Sequence, residues 1–138
     1  MQKSHRVRSV LLASVCAAAL AAGCSSGSSS SAARPTTAAR LRIVEPTANQ
    51  VTGPDVTLKF DLIGARVVPS NKVSGPLHGN QGHIHVSIDG KLVSMAYGTT
   101  QDLHGLKPGK HLLQAEFVAT DHRPFKNRVI TAVLFTVQ

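Results

Sequence analysis

The sequence predicts an all-β protein: an antiparallel β-sandwich of about seven strands that follows an export signal and a flexible tether. Three observations carry that expectation. From position 40 onward apolar residues alternate with polar ones at a period of two, and Gly, Pro and Asp turns recur between the alternating runs. In the same part of the chain no segment shows a capped apolar stripe at helical spacing.

The first expected strand holds Leu41 and Ile43 and leaves at Pro46. The next alternates Val56, Leu58, Phe60 and Leu62 with Thr57, Lys59, Asp61 and Ile63. A third sets Ile84, Val86 and Ile88 against His83, His85, Ser87 and Asp89. Asp89-Gly90 supplies the positive-φ positions of a tight hairpin that returns through Leu92 and Val93. After the Pro108-Gly109 turn, a long strand places Leu113, Ala115, Phe117 and Ala119 on one face and Leu112, Gln114, Glu116 and Val118 on the other. The last strand runs from Val129 to Val137, with Val133, Phe135 and Val137 inward. Phe60, Phe117 and Phe135 are its aromatic core, a modest one for a domain of this size.

Ahead of the strands, Lys3, Arg6 and Arg8 precede an apolar run, Val10 to Ala22, that is too short for a permanent membrane span. The segment Leu20-Ala21-Ala22-Gly23-Cys24 resembles a bacterial lipobox, which implies cleavage before Cys24 and acylation of that cysteine. A plain signal peptidase cutting after an Ala-x-Ala-like site is the competing reading. The expected organisation is a lipoprotein signal peptide over 1–23, an acylated Cys24 with a Ser-rich disordered tether over 24–39, and the sandwich over 40–138. Such a chain sits on the extracytoplasmic face of the cell membrane, in the periplasm or envelope. The Ser, Gly, Ala and Thr of the tether bury too little apolar surface to order themselves, and fifteen such residues reach roughly 20 Å as a coil.

The formal charge is +8; loss of Lys3, Arg6 and Arg8 leaves 12 basic residues against 7 acidic, or +5. That balance suits anionic surfaces, so the expected partners are the membrane through the lipid anchor, and an envelope protein or an anionic wall polymer. Nucleic acid is not expected, because the basic residues are scattered singly and no aromatic stacking series accompanies them. Both cysteines, Cys16 and Cys24, lie ahead of the sandwich, which therefore has no thiol for a disulfide or a thiolate metal site.

The strings "SIDGKLV" and "LKPGKHLLQAEFVATDH" resemble the bacterial immunoglobulin-like (Big-type) modules of exported proteins, over Leu41 to Gln138. The resemblance implies an immunoglobulin-like sandwich of the kind that serves as spacer, adhesin, or carbohydrate or protein contact. A narrower likeness is to uncharacterised exported bacterial proteins with Gly-His-x-His and Asp-His strand motifs, here Gly82-His83-Ile84-His85 and Asp121-His122. It brings no activity with it. In the immunoglobulin order the strand from Gly82 is C and the strand from Gly109 is F, antiparallel neighbours in one sheet.

Six histidines follow the signal: His78, His83, His85, His104, His111 and His122. With Ile84, Val86 and Ile88 inward, His83 and His85 stand side by side on the outer face of their strand. The end of F lies beside the beginning of C, which brings His122 toward His83. The long loop before C carries His78 to the same end. A surface set of His83, His85, His122 and His78 therefore becomes the candidate metal site, and neutral imidazoles without thiolates suit Cu or Zn. Asp121 and Arg123 are the candidate binding-loop residues. The plain alternative is that an exposed strand face simply accommodates histidine as a half-polar residue. His104 and His111 belong to the opposite end. Met95 and Tyr97 suggest a copper(I) thioether, against which stands a methionine that fills the core.

Catalysis has little to rest on: there is no Ser-His-Asp order in a nucleophile context, no Gly-rich phosphate loop and no carboxylate pair placed for acid–base work. A hydrolase using Asp121 and His122 is the remote alternative to a non-enzyme. The expected function is a cell-envelope lipoprotein presenting a binding or structural module, with metal binding as the alternative.

Overall fold

The period-two alternation becomes strand in the computed structural model, which describes residues 33–69 and 76–138. The expected signal peptide, Cys24 and the first part of the tether lie outside the described residues, as do positions 70–75 of the long loop. Among the described residues nine strands follow in chain order: β1 (Arg40–Glu45), β2 (Val51–Thr52), β3 (Val56–Ile63), β4 (Arg66–Val67), β5 (Gln81–Ile88), β6 (Lys91–Ala96), β7 (Thr100–Leu103), β8 (Gly109–Ala119) and β9 (Pro124–Val137).

They form an immunoglobulin-like sandwich of two sheets. One has the order β1-β3-β7. The other runs β2-β9-β8-β5, with β4 and β6 sharing the far edge of β5. β2 and β4 are two-residue parallel additions at the edges, which leaves seven longer strands, the number the alternation predicts. As expected of C and F, β5 and β8 are antiparallel neighbours, Gly82 opposite Ala119 through Ile88 opposite Leu113. Asp89 and Gly90 take φ of 52° and 80° in the β5–β6 hairpin.

The inward faces are the predicted ones. Leu58 of β3 packs with Ile84 and Val86 of β5 and with Leu113, Ala115 and Phe117 of β8, all six fully buried. Phe60 and Phe135 join them, and so does Phe125, whose ring stacks on Phe117 with centroids 5.4 Å apart. Phe125 has no alternation around it, since Arg123, Pro124, Lys126 and Asn127 flank it. It lies in β9 because that strand begins at Pro124, ahead of the expected Val129, and its register against β8 shifts between Phe117 and Val118.

The boundary between tether and domain also moves. Residues 34–39, which composition assigns to the tether, lie along the β8–β9 end of the sandwich. Pro35 O accepts from Lys126 N, Thr37 N donates to Asn127 Oδ1 at 2.9 Å, and Asn127 Nδ2 donates to Thr37 O at 2.8 Å. Thr37 and Ala39 are buried. The ordered domain thus begins before Arg40. Composition misses this because the segment is held by its backbone and by Arg34, and only lightly by apolar side chains.

Candidate metal centre

The outer face of β5 carries His83 and His85, each assigned there by the inward Ile84 and Val86. On the neighbouring strands the same face holds Val118 and Glu116 of β8, Cα partners of His83 and His85, and Met95 of β6, opposite His85. Gly82 precedes His83 for a steric reason. A Cβ there would run into the carbonyl oxygen of Val118 and sit 3.0 Å from the Phe117 ring, so only glycine lets β5 approach β8 this closely.

His122 arrives from the β8–β9 turn. His122 N donates to Ala119 O at 3.0 Å and Ala119 N to Arg123 O at 3.1 Å, closing a three-residue hairpin loop whose last residue must be left-handed. His122 fills that position at φ 64°, where glycine or asparagine is the usual occupant. The twist separates neighbours: the Asp121 carboxylate turns to Arg34, while the His122 ring turns back over β5.

Three ring nitrogens then converge. His83 Nε2 is 3.1 Å from His85 Nε2 and 3.0 Å from His122 Nδ1, and the three potential ligand atoms all lie within 4.8 Å of one another. The rings of His122, His85 and Tyr97 pack on His83 at centroid distances of 4.4, 5.0 and 5.2 Å. His83 is buried beneath them, while His85 and His122 stay half-buried, so the cluster opens to solvent on one side. Burial, then the neighbouring His122 and His85, lowers the His83 pKa from 6.5 to about 4, with Asp121 pulling the other way. Burial and then His122 lower His85 as well, opposed by Glu116. Both imidazoles are neutral at neutral pH, with lone pairs free to bind.

His83 has no satisfied tautomer among the described residues. Its Nδ1 is buried without a partner, while its Nε2 faces two ring nitrogens. A proton on Nδ1 is a buried donor with nothing to receive it. A proton on Nε2 serves one neighbour and leaves the Nδ1 lone pair buried and unmet. Either arrangement costs about 1–3 kcal/mol.

The remaining expected site residues lie elsewhere. His78 is exposed and outside the cluster, because Leu77 packs against the core and its neighbour points to solvent. Asp121 is engaged by Arg34 and by Arg123 N, and the hydrogen bonds of Arg123 are made by its backbone, its carbonyl accepting from Arg34 at 2.7 Å. Burial raises the Asp121 carboxyl, but the Arg34 hydrogen bond and the positive charges around it outweigh that and hold it below the ordinary range. His104 pairs with Asp55, and His111 with Asp89 and Lys107 O, away from the three converging rings. Met95 does not fill the core. It is 38% exposed on the outer face.

No family model matches this chain, and no curated protein matches it. Among solved structures it is similar to the fibronectin(III)-like modules of Clostridium thermocellum CbhA, at 20% identity over 70% of this chain and 93% of that one, with a TM-score of 0.47. It is similar to the PKD domain of human KIAA0319 at 16% identity over 80% and 90%, TM-score 0.44. It is also similar to an endo-β-1,4-mannanase from Thermotoga petrophila at 14% identity over 72% of this chain and 20% of that one, TM-score 0.48. At these values the likenesses add nothing to what the strand order already shows.

Proposed function

We propose that this is a metal-binding module of the cell envelope, in which His83 Nε2, His85 Nε2 and His122 Nδ1 hold a zinc or copper ion and acylated Cys24 tethers the domain outside the cytoplasmic membrane. The convergence of those three nitrogens carries the reading. Metal–imidazole bonds of about 2.0–2.1 Å at tetrahedral angles put ligand nitrogens about 3.3 Å apart; two of the spacings, 3.0 and 3.1 Å, are close to that, and the third lies within 4.8 Å. An ion at the centre would bond all three nitrogens, whereas a proton on His83 Nε2 serves only one of its two neighbours.

Three histidine ligands leave a fourth coordination position for a further donor. Hydrolysis draws less support. The two nearest carboxylates are occupied, Glu116 by Arg128 at 2.8 and 2.7 Å and Asp121 by Arg34, so neither stands ready as a general base. The lipobox-like Leu20 to Cys24 supports the anchor, and the positive mature charge supports a place near anionic headgroups or wall polymer.

The test is titration of the full chain with Zn(II) and Cu(II) at neutral pH. One ion per chain is expected, with affinity falling at least tenfold in His83→Ala, His85→Ala and His122→Gly and unchanged in His104→Ala and His111→Ala. His122→Gly matters most, since glycine accepts the left-handed backbone and removes only the ligand. No binding by the wild type, or equal losses from all five changes, overturns the reading.

A further inference from the structure

We propose that the Met95 thioether is the fourth ligand and that the site is thereby selective for copper(I); this rests on the three-histidine reading above. The chain has two methionines, Met1 and Met95, and two cysteines, Cys16 and Cys24, so Met95 is the only sulfur in the sandwich. It lies directly opposite His85 in the β5–β6 register. Side chains of such a pair share one face with Cβ atoms about 4.5–5.5 Å apart, within reach of one ion for a side chain as long as methionine.

Met95 is 38% exposed on the face that carries the histidines, where its thioether is accessible to an ion. Tyr97 holds it on their side: its hydroxyl lies 3.8 Å from Met95 Sδ and its ring packs on His83. The thioether uses one lone pair toward that hydroxyl and keeps the other. The neighbouring carboxylates, which would favour harder ions, are withdrawn, since Arg128 and Arg34 occupy Glu116 and Asp121. Imidazole accepts either zinc or copper, and a soft thioether in the remaining position tips the choice to copper(I). Met95 and Tyr97 are both exposed, so the sulfur stands on the side from which an ion enters and leaves.

The experiment compares the full chain with its Met95→Leu variant, both carrying Cys16→Ser and Cys24→Ser so that thiols do not compete. Copper(I) affinity is measured against bicinchoninate and Zn(II) affinity against a chromophoric chelator. Met95→Leu should weaken copper(I) at least tenfold, leave Zn(II) within about twofold, and remove the sulfur scatterer from the copper X-ray absorption spectrum. Retained Zn(II) binding doubles as proof that the variant is folded. If wild type binds both ions and Met95→Leu changes neither, or weakens both alike, Met95 is not a ligand and this inference falls while the three-histidine site stands. If wild type binds neither ion, both fall.

Discussion

Arg34 and Asp121, 87 residues apart in sequence, are joined by an ion pair that fastens the end of the tether to the turn carrying His122. The same guanidinium donates to the carbonyls of Arg123 and Pro124, each at 2.7 Å. One side chain therefore closes the turn from outside and fixes the loop in which His122 is left-handed. Arg34→Ala should destabilise by about 1.5–3 kcal/mol, the range for hydrogen bonds to charged groups, and should weaken metal binding through a loosened His122. Thermal unfolding and Zn(II) titration check the two effects. Arg34→Lys keeps the charge but not the fork and should restore only part of each.

The strands and the pairing of C with F were legible because one buried face forces a period of two, and that also puts His83 and His85 on one side. The meeting with His122 followed from antiparallel order alone. What stayed hidden depends on contacts that no local pattern records. Phe125 sits between polar neighbours, Arg34 finds its partner across the chain, and His83 is buried by three rings from other segments or positions. His78 stands apart from the three rings, and loop composition does not say which of two neighbours, Leu77 or His78, turns inward.

The Phe117–Phe125 stack should be a principal support of the site end of the sandwich, since both rings are buried and Phe117 lies under the Gly82–His83 backbone. Phe117→Ala and Phe125→Ala should each cost roughly 3–5 kcal/mol in denaturant unfolding. The double variant should lose less than the sum, because each single change already strips the stack. A loss under about 1 kcal/mol for Phe117→Ala would contradict the inward face of β8.

Acid should destabilise the metal-free protein over a defined window. With the folded pKa of His83 lowered to about 4 from 6.5, the unfolded chain binds more protons between those values. Stability is therefore fully present above about pH 6.5, falls as pH drops below it, and stops falling on this account near pH 4. His85, lowered too, adds to the same slope. The Asp121 contribution is lost only below its ordinary 3.8, outside that window. Denaturant unfolding of chelator-treated protein from pH 7.5 to 4 should show the decline, and His83→Gln should flatten it.

His111 should behave in the opposite sense. Its Nε2 donates to Lys107 O at 2.7 Å and its Nδ1 faces Asp89 Oδ2 at 2.7 Å, and these two hydrogen bonds, in that order, raise its pKa. The stability it contributes is complete below 6.5 and is lost as pH rises through the raised value. Asp89→Asn should bring the His111 titration, followed by NMR, back toward 6.5 while leaving the copper and zinc affinities unchanged.

Gly82→Ala separates the fold's demand from the site's more sharply than any histidine change. The added methyl meets Val118 O and the Phe117 ring, one a backbone atom that cannot rotate away and the other a buried ring. β5 must therefore move off β8 just where Gly82 faces Ala119. Overpacking of this kind costs about 1–3 kcal/mol. The same shift carries His83 away from His122, which is anchored on the far side by Arg34, so the 3.0 Å approach of their nitrogens opens. The variant should unfold at lower temperature and also lose metal affinity while retaining all three histidines. Gly90→Ala is the control: it is strained by its φ of 80°, meets nothing around its Cβ, and lies at the other end of β5. It should lower stability without touching metal affinity. Equal effects of the two variants on binding would mean that affinity tracks global stability and that the Gly82 contact does not position His83.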